Sequence, residues 1–269
     1  GASFAKRLGV SPLIIGLTVV SFGTSAPELV VSVQSSMQGQ GALSLGNVLG
    51  SNLFNIGIIL GVSAMIYPLL VKKQLFKLDV PVMIISTVLF LITFRNGNLN
   101  FWESAIYMTA FIVYIGYLIY KALKTKGAVA EEEDSNFKLT KHWAIDWLLI
   151  IVGLVGLVYG SDLLVENSIF MARIWGMSEA MIGLTIVAVG TSMPELATSI
   201  VAAVKKQADI AIGNVVGSNI FNILLIIGTA GLIHPIETKE INLFDGVYLL
   251  GITLVLFFFM RIRRNINRI

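Results

Sequence analysis

This sequence predicts an all-α integral membrane protein built as an inverted-topology repeat. Its apolar character carries the first part of that prediction. The residues are 56% hydrophobic and 13% charged, about half the charged fraction of a soluble domain, and the mean hydropathy is +0.84. A duplicated motif carries the second part. Gly23-Thr24-Ser25-Ala26-Pro27-Glu28 returns as Gly190-Thr191-Ser192-Met193-Pro194-Glu195, each time inside membrane-grade apolar sequence. The chain has no cysteine, which removes disulfides and thiolate metal sites from consideration. It opens on Gly1 with no initiator Met and no cleavable signal peptide, so the N-terminus reads as cut.

A membrane span needs about 20 apolar residues, and the chain offers eight in order: 10–37, 43–70, 78–95, 101–121, 143–171, 177–204, 209–233 and 241–260. Spans 10–37, 43–70, 177–204 and 209–233 are interrupted by Gly, Ser, Asn and Pro and read as broken helices. Spans such as 78–95 and 241–260 are ordinary apolar helices. The connector 122–142 carries Glu131-Glu132-Glu133-Asp134 flanked by lysines, and a solvated loop accounts for it. The chain thus divides into a first half, 1–121, the acidic connector, 122–142, and a second half, 143–269. Threading the spans puts all but three of the 19 Lys and Arg residues on one side, with Arg95, Arg173 and Lys239 on the other. By the positive-inside rule both ends of the chain and the connector are cytoplasmic. The expected location is the cell (plasma or inner) membrane, as a multi-pass protein.

Residues 9–61 match 176–228 without a gap at a constant offset of 167. Gly46-Asn47-Val48-Leu49-Gly50-Ser51-Asn52-Leu53-Phe54-Asn55 becomes Gly213-Asn214-Val215-Val216-Gly217-Ser218-Asn219-Ile220-Phe221-Asn222. The first span corresponds to the sixth and the second to the seventh. Five spans is an odd number, so the copies cross the membrane in opposite directions. That is the inverted-repeat plan of secondary transporters, in which broken helices meet at a midplane site. The same offset leaves 143–171 without a partner before Gly1 and 101–121 without one after Ile269. The intact unit is therefore expected to have ten helices, five in each half, with the inner eight present here.

A carboxylate at bilayer depth is costly and marks a site by default. Glu28 and Glu195 are such carboxylates. Pro27 and Pro194 lack an N–H, which frees carbonyl oxygens one turn upstream, beside Thr24 and Thr191. Freed carbonyls at this depth persist only where protein, water or an ion satisfies them. Thr24, Ser25, Thr191 and Ser192 add hydroxyl oxygens. Ser51 with Asn55, and Ser218 with Asn222, lie four apart and so share one helix face. Gly46, Gly50, Gly213 and Gly217 allow those helices to pack closely. The pool is all oxygen, which selects hard cations such as Ca²⁺ and Na⁺ over zinc or copper. Two carboxylates balance one Ca²⁺, and Na⁺ ions can share the same oxygens. For Asn47, Asn52, Asn214 and Asn219, interhelical hydrogen bonding competes with ligation. Asp162, Glu166, Asp146 and His142 read as interfacial or helix-pairing groups, His234 as solvated, and Asp209 and Asp245 as helix-start residues. No cofactor is expected, since the ions are cargo. The bilayer is the partner, nothing indicates nucleic acid, and a monomer is expected to suffice.

The paired Gly-Thr-Ser-x-Pro-Glu and Gly-Asn-Val-x-Gly-Ser-Asn-x-Phe-Asn motifs resemble the two α-repeats of the cation/calcium exchanger superfamily, with the nearest look to prokaryotic sodium/calcium exchangers. The resemblance covers nearly the whole chain. It implies ten helices in two inverted halves and alternating access. It implies Glu28 and Glu195 as central Ca²⁺ and Na⁺ ligands, with Thr24, Thr191, Ser25, Ser192, Ser51, Asn55, Ser218 and Asn222 completing the set. Some relatives carry Asp at the position of Asn222, and Asn there removes one charged ligand. The Thr-Ser-x-Pro-Glu form is that of Na⁺-coupled rather than H⁺-coupled members. The expected activity is Ca²⁺ export in exchange for Na⁺. H⁺- or K⁺-coupled antiport and a passive cation channel are the rivals. An intramembrane enzyme finds no Asp dyad, Ser-Lys or His-Glu metal motif to support it.

Overall fold

The structure is a computed structural model that describes residues 10–124 and 169–263, Asn265–Ile266, and scattered positions between 148 and 159. Seven of the eight expected spans lie in this range. Helix α1 (Pro12–Thr24) and α2 (Ala26–Met37) form one pair bent by 46°, and α6 (Glu179–Thr191) and α7 (Met193–Val204) form the second, bent by 43°. Between and after them run α3 (Gly41–Ile66), α4 (Leu75–Asn96), α5 (Phe101–Lys124), α8 (Ala208–Ile233) and α9 (Leu243–Arg263). The span expected over 143–171 is helical at its described positions and otherwise lies outside them. Residues 125–142, with the acidic run, lie outside them as well.

Local chemistry repeats along with the sequence. Ser11 Oγ accepts from Ile14 N at 3.3 Å ahead of Pro12, and Ser178 Oγ accepts from Met181 N at 3.2 Å, so a serine N-cap starts each broken pair. A cap hydroxyl satisfies one of the orphan donors of a helix start. Both bends fall on a serine, Ser25 (φ −82°, ψ 8°) and Ser192 (φ −84°, ψ 6°), with proline at the second residue of the next helix. Each pair ends in a left-handed residue, Gly39 (φ 72°) and its repeat equivalent Lys206 (φ 60°). There Gln40 N reaches Ser35 O at 2.8 Å, and Gln207 N reaches Ala202 O at 2.8 Å, the closing bond of a Schellman turn. Hydrophobic patterning carries no sign of π-helical turns, yet they recur in register at Gly16–Val20 and Gly183–Val187, and again at Asn55–Ile59 and Asn222–Ile227. Such turns concentrate at functional sites.

The halves interlock. Gly16 packs its backbone on Gly213 and Asn214 of α8, and Gly183 packs on Gly46 and Asn47 of α3. The first helix of each repeat copy therefore lies against the second helix of the other copy. An 18-residue window of α8 is 94% buried while that of α5 is 17% buried, so α8 is an axial core helix and α5 faces outward. Leu17, Leu45, Leu49, Val216 and Ile220 fill the interior.

Two short antiparallel bridges were not expected from an all-α pattern. β1 (Leu69–Leu70) pairs with β4 (Asn265–Ile266), and β2 (Asn98–Leu99) pairs with β3 (Ile236–Glu237). They give partners to backbone groups freed where helices end. The bridges and other contacts sort the loops into two sets. Lys72–Asp209 at 2.6 Å, Lys121–Gln74 at 2.9 Å and β1–β4 join one set. Arg173–Gln40 at 3.4 Å, Ser36–His234 at 3.0 Å, Glu240–Ala180 at 3.1 Å and β2–β3 join the other. The division is the one that threading by charge predicts.

Candidate functional site

Glu28 and Glu195 sit in the first turns of α2 and α7, directly after the bends, and both are fully buried. Helix N-termini favour negative charge, so the broken geometry supplies two half-helix dipoles at the two carboxylates. Ser25 Oγ donates to Glu195 Oε1 at 2.9 Å, and Ser192 Oγ donates to Glu28 Oε1 at 2.9 Å. The serine of each motif thus serves the glutamate of the other motif. Thr24 Oγ1 donates to Asn214 Oδ1 at 3.1 Å, and Thr191 Oγ1 to Asn47 Oδ1 at 3.0 Å. Every one of these bonds has its counterpart at the repeat offset, the reciprocity that a pseudo-two-fold arrangement produces. The sequence reading grouped the second-span residues with the motif of their own copy. The folded chain keeps links of that kind, Ser218 with Glu195 and Asn47 with the Glu28 carbonyl, and adds links to the opposite copy, because α1 and α6 are clasped by the opposite half.

The other predicted site residues lie on α3 and α8. Ser218 Oγ donates to Glu195 Oε1 at 3.2 Å, whereas Ser51 Oγ donates to Ala188 O at 3.4 Å. Asn222 Nδ2 donates to Asn52 Oδ1 at 2.9 Å. All ten predicted site residues are buried. Neither glutamate has a basic partner among the described residues. The second carboxylate oxygens, Glu28 Oε2 and Glu195 Oε2, have no hydrogen-bond donor, nor do Asn55 Oδ1 and Asn222 Oδ1. Buried acceptors are normally satisfied, and these four oxygens, together with Asn219 Oδ1, are exceptions. No cluster of three His, Cys, Asp or Glu side chains placed to hold a metal ion occurs among the described residues.

Asp209 pairs with Lys72, and Asp245 Oδ2 accepts from Asn242 N at 2.9 Å at the start of α9, as expected of helix-start acids. His234 is exposed. Asp162, Glu166, Asp146 and His142 lie outside the described residues. One buried acid escaped the sequence reading. Asp79 accepts from Tyr114 OH at 3.1 Å at the start of α4. Its signal was present, an Asp two residues before Pro81 within apolar sequence, but the residue occurs once and has no repeat partner.

A sequence model of the sodium/calcium exchanger protein family matches residues 1–120 and 145–269. The chain belongs to the sodium/calcium exchanger family. Among its relatives, the sodium/calcium exchanger MaX1 of Methanosarcina acetivorans is 34% identical over 99% of this chain and 87% of its own length. The putative antiporter CaxA of Alkalimonas amylolytica is 38% identical over 87% of this chain and 74% of its own. The solved sodium-calcium exchanger NCX_Mj superposes with a TM-score of 0.80 at 28% identity, covering 99% of this chain and 84% of that one. As a member of this exchanger family the chain is a multi-pass membrane Ca²⁺/cation exchanger, and its relatives are transporters rather than enzymes.

Proposed function

We propose that the chain is an antiporter that exports Ca²⁺ from the cytoplasm in exchange for Na⁺ by alternating access. The observation that carries this reading is the pair of half-satisfied carboxylates. Each glutamate has one oxygen fixed by a serine of the opposite half and one oxygen without a donor. Two carboxylates neutralise one Ca²⁺, and Ca²⁺ accepts six to eight oxygens in flexible geometry, which suits this mixture better than the strict octahedron of Mg²⁺. Glu28, Glu195, Asn55 and Asn222 then supply direct ligands. Thr24 and Thr191 supply backbone carbonyls at the bends, and Ser25, Ser192, Ser51 and Ser218 supply hydroxyls. Na⁺ competes for the same oxygens, so occupancy by one ion excludes the other and couples the two fluxes. Two relatives bear sodium/calcium exchanger names, which supports Na⁺ as the counter-ion. The site is completed within one chain, so a monomer suffices. The charge distribution supports cytoplasmic ends in the cell membrane.

The test is uptake of radiolabelled Ca²⁺ into vesicles under imposed Na⁺, K⁺ or pH gradients. Uptake driven by an outward Na⁺ gradient alone is expected. Uptake driven only by K⁺ or H⁺ overturns Na⁺ coupling, and flux without any counter-ion makes the protein a channel.

A further inference from the structure

The motif Gly-Asn-Val-x-Gly-Ser-Asn-x-Phe-Asn contains three asparagines per half, and the structure gives them three different surroundings. Asn55 and Asn222 hold the unpaired oxygens described above. Asn52 and Asn219 lie between the core helices, where Asn52 Nδ2 donates to Asn219 O at 3.3 Å and Asn219 Nδ2 donates to Val215 O at 2.7 Å. Asn47 and Asn214 are different again. Both are fully buried, and in both the amide oxygen and the amide nitrogen are engaged.

Asn47 spans two places that matter. Its Nδ2 donates to Ser32 Oγ at 2.9 Å and to Glu28 O at 3.3 Å, in the turn that carries the glutamate of its own half. Its Oδ1 accepts from Thr191 Oγ1 at 3.0 Å, at the last residue before the bend of the other half. Asn214 repeats each bond, to Ser199 Oγ at 3.1 Å, to Glu195 O at 3.4 Å and from Thr24 Oγ1 at 3.1 Å. One carboxamide therefore joins the turn after one bend to the residue before the other. Only a group with an acceptor at one end and a donor at the other makes both contacts. The spacing of the two bends, and with it the spacing of the oxygens on either side of the pseudo-two-fold axis, passes through these two side chains.

The threonine end of each clamp can let go. Thr191 Oγ1 also lies 2.9 Å from Val187 O, and Thr24 Oγ1 lies 3.1 Å from Val20 O. A hydroxyl carries one proton and donates it once. Each threonine thus satisfies either the opposite asparagine or its own helix, and releasing the clamp leaves the hydroxyl bonded.

We infer that Asn47 and Asn214 are positioning residues of the exchange, each clamping the glutamate turn of its own half to the threonine of the opposite half and so fixing the distance between the two sets of ion ligands. The inference rests on the ion site proposed above. Equilibrium binding of radiolabelled Ca²⁺ to the purified full chain, in competition with Na⁺, separates the two. If the unaltered protein binds no Ca²⁺, the ion-site reading fails. If it binds Ca²⁺, the Asn47→Ala and Asn214→Ala variants decide the clamp. The expected result is Ca²⁺ binding weakened about tenfold in each, the equivalent of one lost buried hydrogen bond, in protein whose melting shows it folded. Thr191→Val removes the hydroxyl but keeps the carbonyl, and it should weaken binding to a similar degree. Combined with Asn47→Ala it should add little, because both changes break one contact. Unchanged Ca²⁺ affinity in folded Asn47→Ala and Asn214→Ala proteins overturns the inference, as does full additivity of Asn47→Ala with Thr191→Val. If neither alanine variant folds, the folded Thr191→Val protein and its Thr24→Val counterpart carry the same test.

Discussion

Glu28 and Glu195 each take one hydrogen bond from the opposite half and keep one oxygen without a donor. Each receives a serine hydroxyl at 2.9 Å from across the molecule and the N-terminal dipole of its own helix. Neither has a basic neighbour among the described residues. A buried carboxylate with that little compensation is expensive in isolation, and the proposed cation would provide what is lacking. Glu28→Gln and Glu195→Gln keep the shape and one acceptor oxygen while removing the charge. Ca²⁺ uptake should fall by about 100-fold or more in each, as expected when a charged ligand contact is lost. Melting in detergent without Ca²⁺ should stay level or rise, because an uncompensated buried charge has gone. Retained uptake in both variants would remove these residues from the site. The sequence could nominate all ten ligand candidates because residue type and repetition were enough to mark them. It could not say which asparagine does what, since the threonine partners of Asn47 and Asn214 lie in the opposite half, more than a hundred residues away. Nor did it mark Asp79, whose Tyr114 partner is on a neighbouring helix.

At the scale of elements, hydropathy located the described spans to within a few residues, and the two Thr-Ser-x-Pro motifs located the bends. What hydropathy cannot see is which half a helix packs against, because apolar periodicity records burial and not the identity of the neighbour. The glycines hold that information in the folded chain. A Cβ on Gly50 would lie 2.7 Å from Ala188 Cβ and closer still to the Leu184 carbonyl, both on α6. A Cβ on Gly61, farther along the same helix α3, meets nothing within 4 Å. Gly50→Ala should therefore destabilise the protein by about 1–3 kcal/mol through overpacking between the halves. Gly61→Ala should be neutral, or stabilising by about 0.5–1 kcal/mol through helix propensity. Melting temperatures of the two variants check the pair. Equal effects would mean that contact between α3 and α6 is not what Gly50 is for.

For the whole molecule, the inverted arrangement is the statement on which alternating access depends, and it has a direct test. Gln38 and Lys205 occupy equivalent turns of the two copies, separated by the repeat offset of 167 and both exposed. Each directly precedes the left-handed residue of its turn, Gly39 or Lys206. The loop contacts place the first turn with Arg173 and His234, and the second with Lys72 and the end of the chain. The positive-inside rule predicts a cytoplasmic place for the second set. Copies related by inversion must put equivalent turns on opposite faces of the membrane, whereas parallel copies put them on the same face. The chain has no cysteine, so a single introduced thiol reports one position without background. In intact cells a membrane-impermeant maleimide should label Gln38→Cys and leave Lys205→Cys unlabelled until the membrane is opened. Labelling of both, or of neither, would remove the inversion. Labelling of Lys205→Cys alone would keep the inversion but turn the molecule over, and with it the proposed direction of Ca²⁺ movement.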